Sequence, residues 1–243
     1  MASDKSRFEE LYFNVRKKEK RIYSDEEVLL LPLVNKDHPH SKEWLIRNRS
    51  FRNLREHLKE KNKPLQILDL GCGNGWMSNQ ISEINNSFVT GLDLHSFEIA
   101  QAKKIFQHNK RLTFLAGDLF EDTFFQQEQF DIIVLAASIQ YFPDLKQLIK
   151  RLNGLLNAEG EIHIIDSHFY SQNKLLKAKE ASMHYYRGLN CSEMVHFYHH
   201  HLWSDLSEFN FKILNRSWID RFFLKTIKTK RNYFPWVVIY KLL

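Results

Sequence analysis

Three glycines alternate with other residues directly after an apolar run, and this segment constrains the fold more than any other. Gly71, Gly73 and Gly75 lie within the run ILDLGCGNGW, residues 67–76, and the whole chain has only eight glycines. This clustering predicts a backbone turn too tight for side chains at the end of a buried strand. A ligand can approach such a turn closely because no Cβ atom blocks it. Residues 76–84 read as a helix that points its free N–H groups at the same place, so the segment predicts the opening of a nucleotide-type binding site.

Length and composition narrow the protein class. The 243 residues predict one large domain, or one domain with an appendage. No apolar run approaches the roughly 18 residues that span a bilayer, and the charged N-terminus lacks the apolar segment of a signal peptide. Two cysteines, Cys72 and Cys191, cannot form a disulfide framework. We therefore expect a cytoplasmic protein without a membrane span.

The net charge of +6 permits nucleic-acid binding. The basic residues are scattered, however, and the densest groups, residues 16–21 and 225–231, read as solvated segments. We interpret the charge as that of a slightly basic soluble protein.

Strand and helix patterns alternate through the middle of the chain. The predicted strands are residues 65–70, 87–94, 112–116, 130–136 and 161–166, and the predicted helices are 41–61, 76–84, 96–108 and 144–156. A short helical or irregular piece is expected near 121–127, and a turn at 157–160. Strands alternating with helices indicate a doubly wound α/β domain with a parallel sheet.

The two ends and one long segment depart from this alternation. Residues 1–64 read as an N-terminal helical arm, and residues 171–208 as a helical insertion that caps the ligand edge of the sheet. Two apolar runs, 211–218 and 233–242, are joined by the basic segment 220–232 and predict a terminal antiparallel pair.

The arm holds a possible second cluster of polar and aromatic side chains, namely Tyr23, His38, His40, Trp44 and Arg47. Two interpretations stay open: the arm folds over the ligand as a lid, or it packs as a helix on the flank of the sheet.

Candidate ligand-binding residues follow four successive strands. Asp69 precedes the glycine turn, and Asp93 lies 24 residues later, near the spacing of an acid that accepts ribose hydroxyls. The other two groups are Gly117–Leu119 and Ala136–Gln140. In a parallel sheet these strand ends meet at one edge. Trp76 occupies the position where nicotinamide-binding motifs need glycine, which argues against a pyrophosphate ligand.

This set of motifs resembles class I S-adenosylmethionine-dependent methyltransferases. Asp69–Gly75 resembles the family's first motif, 130–144 its fourth-strand motif, and 156–161 the turn before its fifth strand. The resemblance covers roughly residues 65–167. It implies a Rossmann-like seven-stranded sheet, mostly parallel with an antiparallel last strand, in a domain spanning 65–243.

The resemblance also implies S-adenosylmethionine as cofactor. By this resemblance, the three glycines of the turn would wrap the methionine part of the cofactor. Asp93 would bind the ribose hydroxyls of the cofactor, and Asp118 would bind the amino group of its adenine. The cofactor-binding residues expected on these grounds are Asp69, Gly71, Cys72, Gly73, Asn74, Gly75, Asp93, Leu94, Asp118, Leu119, Ala136 and Gln140.

Methyl transfer needs an acceptor lone pair in line behind the methyl carbon, and an amine or hydroxyl can also need a general base. His168 is the first candidate because it follows the fifth strand; Tyr141 and His184 are the others. Each also has a structural interpretation: a hinge histidine for His168, and packing of the cap for Tyr141 and His184. His196 and the run 199–201 lack a companion carboxylate or cysteine set, so no metal is expected.

The leading hypothesis is methyl transfer to a hydroxyl or amine of a small-molecule acceptor. Two alternatives stay open: an RNA or protein methyltransferase, and a non-catalytic cofactor-binding regulator. The fourth strand ends in Ala136-Ala137-Ser138-Ile139 rather than the Asn/Asp-Pro-Pro-aromatic box of base-modifying relatives, so nucleic acid is disfavoured. The sequence gives no indication of the oligomeric state.

Overall fold

A seven-stranded sheet organises the computed structural model, which describes residues 2–121, 125, 129–214 and 234–241. Its strands are β1 (Gln66–Leu70), β2 (Phe88–Asp93), β3 (Leu112–Ala116), β4 (Phe130–Ala136), β5 (Leu156–Ile165), β8 (Phe211–Ile213) and β9 (Val237–Tyr240), and a separate two-stranded sheet pairs β6 (Phe169–Tyr170) with β7 (His201–Leu202). The helices are α1 (Ala2–Lys18), α2 (Asp25–Leu30), α3 (Ser41–Glu60), α4 (Trp76–Ser82), α5 (Ser96–Ile105), α6 (Leu145–Asn153) and α7 (Gln172–Gly188). Short 3₁₀ turns cover Ile139–Tyr141, Ser192–Phe197 and Trp203–Leu206.

The strand order β3-β2-β1-β4-β5-β9-β8 confirms the predicted fold class. Strands β1 to β5 are parallel, and β9 runs antiparallel between β5 and β8. Strands β1 to β3 are added towards one edge of the sheet, and β4 and β5 are added towards the other. The carboxyl ends of β1 and β4 therefore flank the crevice where ligands bind in such sheets.

Both faces of the sheet are covered, which explains the continuous apolar strands. Ile67, Ile132 and Val134 pack on one face against a core formed with α3 and α4. The alternate residues, among them Leu68 and Ile133, pack on the other face with α6. Because successive side chains of a strand point to opposite faces of the sheet, each strand contributes residues to two separate cores.

Some predicted boundaries were wrong or fall outside the described residues. The turn expected at 157–160 lies inside β5, where the register against β4 jumps from the pair Phe130–Leu156 to the pair Ile132–Glu161 and so forms a bulge. The expected basic segment 220–232, most of the piece at 121–127 and the ends of the two terminal runs lie outside the described residues. The resolved parts of those runs form the predicted antiparallel pair.

The N-terminal arm contains helices α1, α2 and α3, and α1 packs against the insertion that follows β5. Val15 is buried in a cluster with Tyr186, Cys191 and Met194 from the segment after β5. Phe8 extends this contact to Phe197, with ring centroids 5.5 Å apart. These contacts place α1 across the carboxyl edge of the sheet. Within the described ranges, no helix combines the length and apolar character needed to cross a membrane.

Candidate active site

A cavity of about 510 Å³ lies at the carboxyl ends of β1 to β4, beneath α1. This volume falls within the range of about 300–1,000 Å³ that is typical of small-molecule sites. Twelve of the residues predicted for the site line it: Asp69, Gly71, Cys72, Gly73, Asn74, Asp93, Leu94, Asp118, Leu119, Ala136, Gln140 and Tyr141. Gly75, His168 and His184 do not line it.

The glycine turn after β1 adopts left-handed backbone conformations, with φ of +78° at Gly71, +54° at Gly73 and +74° at Gly75. A Cβ atom on Gly71 would lie 2.5 Å from the Cβ of Ser138 beside the cavity. A Cβ on Gly75 would instead lie 2.6 Å from the ring of Phe114, on β3. Gly75 therefore allows close packing of the turn on the neighbouring strand, and it is not among the residues that line the cavity.

Asp69 offers an unfilled acceptor at the base of the cavity. Its side chain is fully buried, and Oδ2 accepts a hydrogen bond from Ser78 Oγ at 2.6 Å. Oδ1 is also buried and has no hydrogen-bond partner among the described residues. Burial raises the pKa of Asp69 to about 6. A buried carboxylate oxygen without a donor is costly, so the site is suited to a ligand that brings a cationic N–H group.

Asp93 ties the glycine turn to the end of β2. Its Oδ2 accepts from the backbone N–H of Gly73 and its Oδ1 from that of His95, both at 2.8 Å. Burial and the nearby Glu98 carboxylate raise the pKa of Asp93. Each carboxylate oxygen keeps a further lone pair, so Asp93 can still accept from ligand hydroxyls.

Sequence reasoning missed Glu98, which lies on α5 and lines the cavity beside Asp93. Its Oε1 is 3.6 Å from Arg16 Nη2, and its buried Oε2 has no hydrogen-bond partner in the described ranges. The signal available in the sequence was an acid five residues after Asp93, within the first turn of the helix that follows β2.

The ends of β3 and β4 complete the sheet side of the cavity. Asp118 Oδ1 accepts from the backbone N–H of Phe120 at 2.8 Å, and Leu119 is buried. After β4, Ala137 has a φ of +54°, and Gln140 Nε2 donates to its carbonyl at 2.6 Å. Left-handed backbone at a non-glycine residue is uncommon and clusters at functional sites.

Part of the arm lines the cavity, and another part, helix α3, packs on a face of the sheet. Lys5, Phe8, Tyr12 and Arg16 line the cavity from one face of α1. Their spacing of three or four residues was visible in the sequence but was not used. Of the expected arm cluster, Tyr23, Trp44 and Arg47 line the cavity, whereas His38 and His40 do not.

Tyr141 is the one candidate catalytic residue that reaches the cavity. Its ring lies 5.6 Å from that of Phe8 and 5.5 Å from that of Tyr12. Burial raises the pKa of both Tyr12 and Tyr141. Their hydroxyls therefore stay protonated near neutral pH and act as hydrogen-bond donors rather than as bases.

The structure separates both candidate histidines from the cavity. The ring of His168 packs on Phe234 at a centroid distance of 4.4 Å, beyond the end of β5, and burial lowers its pKa. His184 lies exposed on α7, whose buried residue is Tyr186. The insertion meets α1 through Tyr186 and the following 3₁₀ turn, so it does not direct His184 towards the sheet edge.

Two groups of histidines outside the cavity are explained by hydrogen bonding. His57, Glu161 and His163 form the group of possible metal ligands found within the described ranges. Lys61 Nζ already donates to Glu161 at 2.6 Å, and Trp236 donates to His163 at 3.1 Å. In the run 199–201, His201 Nε2 lies 2.8 Å from the carbonyl of Ile139 and His200 Nε2 lies 3.0 Å from Ser182 Oγ.

Comparisons with known proteins agree with this architecture. Residues 61–227 match a family model described as a methyltransferase domain. The malonyl-[acyl-carrier protein] O-methyltransferase of Bacillus anthracis is 33% identical over 100 residues, which are 41% of this chain and 36% of that protein. The trans-aconitate 2-methyltransferase of Deinococcus radiodurans is 30% identical over 116 residues, 46% of this chain and 43% of that protein. The chain thus spans well under half the length of these curated relatives.

Solved structures resemble the chain over almost its full length. Magnesium protoporphyrin IX methyltransferase from Synechocystis PCC 6803, with bound SAH, has a TM-score of 0.60 at 15% identity and covers 95% of this chain and 97% of its own. The plantazolicin methyltransferase BpumL, in complex with SAH, has a TM-score of 0.54 at 16% identity and covers 94% and 99%. At this identity the likeness shows the fold.

Proposed function

The chain belongs to the methyltransferase domain family, and we propose that it transfers a methyl group from S-adenosylmethionine to a hydroxyl or amine of a small-molecule acceptor. The observation that carries this proposal is the unfilled buried oxygen of Asp69, which lies beside a glycine turn at the sheet edge. The matched family and the SAH-bound structural neighbours support S-adenosylmethionine as the cofactor.

The residues at the sheet edge fit this cofactor. Its ammonium group supplies the cationic donor that Asp69 Oδ1 lacks. Asp93 accepts the ribose hydroxyls with the lone pairs that Gly73 and His95 leave free. Leu119 and Asp118 supply one apolar surface and one acceptor for the adenine. Asp69, Asp93, Asp118 and Leu119 all line the cavity, which supports these roles.

S-adenosylmethionine supplies an already activated methyl group on a positively charged sulfur. The protein's residues need only position the acceptor in line and exclude water. Helix α1 covers the cavity with Phe8 and Tyr12, which restricts access of water to the reacting atoms.

The chemistry available for proton removal is limited. Among the histidines of the described ranges, His95 is the one that lines the cavity. Its Nδ1 accepts the backbone N–H of Glu98 at the start of α5, and burial lowers its pKa. Because this nitrogen is engaged, His95 is poorly suited to act as a base, and alignment by the donors around the acceptor is the main contribution that we assign to the protein. This replaces the histidine base that the sequence led us to expect.

A cavity of about 510 Å³ that is partly covered by a helix favours a small molecule over RNA or a folded protein. The first test is mass spectrometry of the denatured protein, which should release S-adenosylmethionine or S-adenosylhomocysteine. A labelled-methyl assay on cell extract, separated into small molecules, RNA and protein, should place the label in the small molecules.

The controls for this assay are a sample without enzyme and the Asp93→Ala variant, which lacks the proposed ribose contact. Label in the RNA or protein fraction would refute the acceptor class. A purified nicotinamide or flavin cofactor would refute the donor, and bound cofactor without any methyl transfer would favour a non-catalytic regulator.

A further inference from the structure

The cavity has two halves of opposite charge. The arm half, contributed by residues 1–64, brings the cations Lys5, Arg16 and Arg47. The described arm residues that line the cavity include no carboxylate. The sheet half, contributed by residues 69–166, brings every lining carboxylate, among them Asp69, Asp93 and Glu98.

The sheet half is matched by the cofactor. S-adenosylmethionine carries a sulfonium, an ammonium and two ribose hydroxyls, all of which can pair with carboxylates; its own α-carboxylate is the one group that cannot. The arm half has the opposite requirement, because guanidinium and ammonium groups are donors without any acceptor. Its ligand therefore has to bring acceptors and negative charge.

Arg16 has donors that the protein leaves unfilled. Its Nη2 lies 3.6 Å from Glu98 Oε1, which is beyond hydrogen-bond distance, and its buried Nε has no partner in the described part of the chain. The guanidinium carbon of Arg16 lies 5.8 Å from the centroid of the Tyr12 ring, within cation–π distance. A planar guanidinium is the side chain best suited to bind a carboxylate with two parallel hydrogen bonds.

The surroundings of Arg16 add donors and apolar surface. Arg47 is held 5.4 Å over the ring of Trp44, and its Nε donates to Glu43 at 2.9 Å, which uses one of its five donors. Tyr12 and Tyr141 contribute hydroxyls that stay protonated. Phe8 supplies an aromatic surface between the cations.

We propose that the acceptor is a small carboxylic acid whose carboxylate binds in the arm half, with Arg16 as its principal anchor. This inference rests on the proposed methyl transfer and names the class of its acceptor. Glu98 faces Arg16, and Glu43 faces both Arg47 and Arg21. Arg21 also pairs with Glu19. The arm half therefore retains about one net positive charge, that of Lys5, which matches a monoanionic carboxylate better than a phosphate monoester of nearly two charges.

The test is calorimetry on protein saturated with S-adenosylhomocysteine. The probes are benzoate, salicylate and octanoate, each paired with its primary amide, which keeps the shape and removes the charge. We expect at least one acid to bind about tenfold more tightly than its amide, since charged hydrogen bonds are about twice as strong as neutral ones. Equal binding within all three pairs, or binding of none, would overturn the inference while S-adenosylhomocysteine binding itself still supports the proposed function.

Three variants on α1 locate the effect. Arg16→Met should abolish the preference for the acid, and Arg16→Lys should restore only part of it because the planar fork is lost. Lys17→Met removes the same charge from the exposed neighbour of Arg16 and should leave the preference intact.

A third ligand separates the acceptor from the cofactor's own carboxylate. Methylthioadenosine shares the nucleoside of S-adenosylhomocysteine but lacks its amino acid. If Arg16→Met weakens S-adenosylhomocysteine, spares methylthioadenosine and leaves the acid preference unchanged, Arg16 anchors the cofactor and the inference is wrong. Failure of wild-type protein to bind S-adenosylhomocysteine would instead refute the proposed function.

Discussion

Replacing Asp69 with asparagine should stabilise the ligand-free protein and weaken its cofactor binding. Asp69 is fully buried and its Oδ1 has no hydrogen-bond partner within the described ranges. Burial of the charge raises its pKa from 3.8 to about 6. A carboxyl group with a raised pKa destabilises the folded state once it ionises, because folding then buries a charge that the unfolded chain keeps in water.

The size of this effect follows from the pKa. A rise from 3.8 to about 6 corresponds to about 3 kcal/mol of lost stability above both values. The loss is absent at low pH, where both states are protonated, and grows as the pH rises towards 6. Asp69→Asn keeps an oxygen for Ser78 and removes the charge, so it should gain up to about 3 kcal/mol near pH 7.5 and about half of that near pH 5.

Urea denaturation of cofactor-free protein, followed by tryptophan fluorescence at the two pH values, measures the gain. Asp118→Asn is the matched control, since it makes the same change at a cavity carboxylate that accepts from the backbone of Phe120. Calorimetry should show that Asp69→Asn weakens S-adenosylhomocysteine binding by about 1.5–3 kcal/mol, the strength of a charged hydrogen bond.

Opposite signs for stability and affinity are the distinctive result. A variant that is no more stable than wild type near pH 7.5, or whose gain is the same near pH 5, would refute the electrostatic origin. A variant that binds S-adenosylhomocysteine normally would show that the unfilled oxygen does not receive the ammonium group.

Three further substitutions test other parts of the structure. Asp93→Ala should weaken S-adenosylhomocysteine binding by at least ~1.5 kcal/mol in calorimetry, whereas Asp37→Ala, on the exposed arm, should have no effect. Gly75→Ala should destabilise the fold by about 1–3 kcal/mol in urea because of its positive φ and the nearby aromatic ring; Gly188→Ala, in open space at the end of α7, should not. Glu161→Gln should cost about 3 kcal/mol. Burial favours the neutral form of Glu161, but its histidine and lysine partners outweigh burial and keep its pKa low. The ionised carboxylate therefore stabilises wild type above about pH 4.3. The difference in unfolding free energy between wild type and the variant should shrink as acid protonates Glu161.

The sheet and the cofactor side of the cavity could be predicted because their signals are local. Strands β1, β2, β3 and β5 are apolar runs that end at or directly before an acid or a glycine, and parallel pairing brings the carboxyl ends to one edge. Asp69, Asp93 and Asp118 therefore reached the same cavity although they are far apart in the chain. The close packing of Gly75 on Phe114, which lies on another strand, could not be predicted, because a local pattern does not identify which neighbour a glycine faces.

The histidine candidates failed for a related reason. His168 was chosen because it follows a strand. The backbone turns at Asp166, the residue directly after β5, which has a φ of +54°, and the imidazole packs against Phe234 from the C-terminal segment. His184 lies on a helix whose contact with α1 is made by Tyr186. Which residues of a long insertion face the ligand depends on contacts with distant segments, and neither helical period nor residue chemistry specifies those contacts.

The arm illustrates how function divides along this chain. The cofactor half of the cavity is built from residues 69–166, inside the matched family region, whereas the half proposed to bind the acceptor is built from α1 and the start of α3, before that region begins. A methyl donor that is common to the family requires a common set of acids and glycines. Acceptors differ between members, and a helix that precedes the sheet region, such as α1, can change without disturbing the sheet. If the proposed acceptor site is correct, the acceptor is selected mainly by residues such as Arg16 and Arg47, and relatives that share only the sheet region carry little information about it.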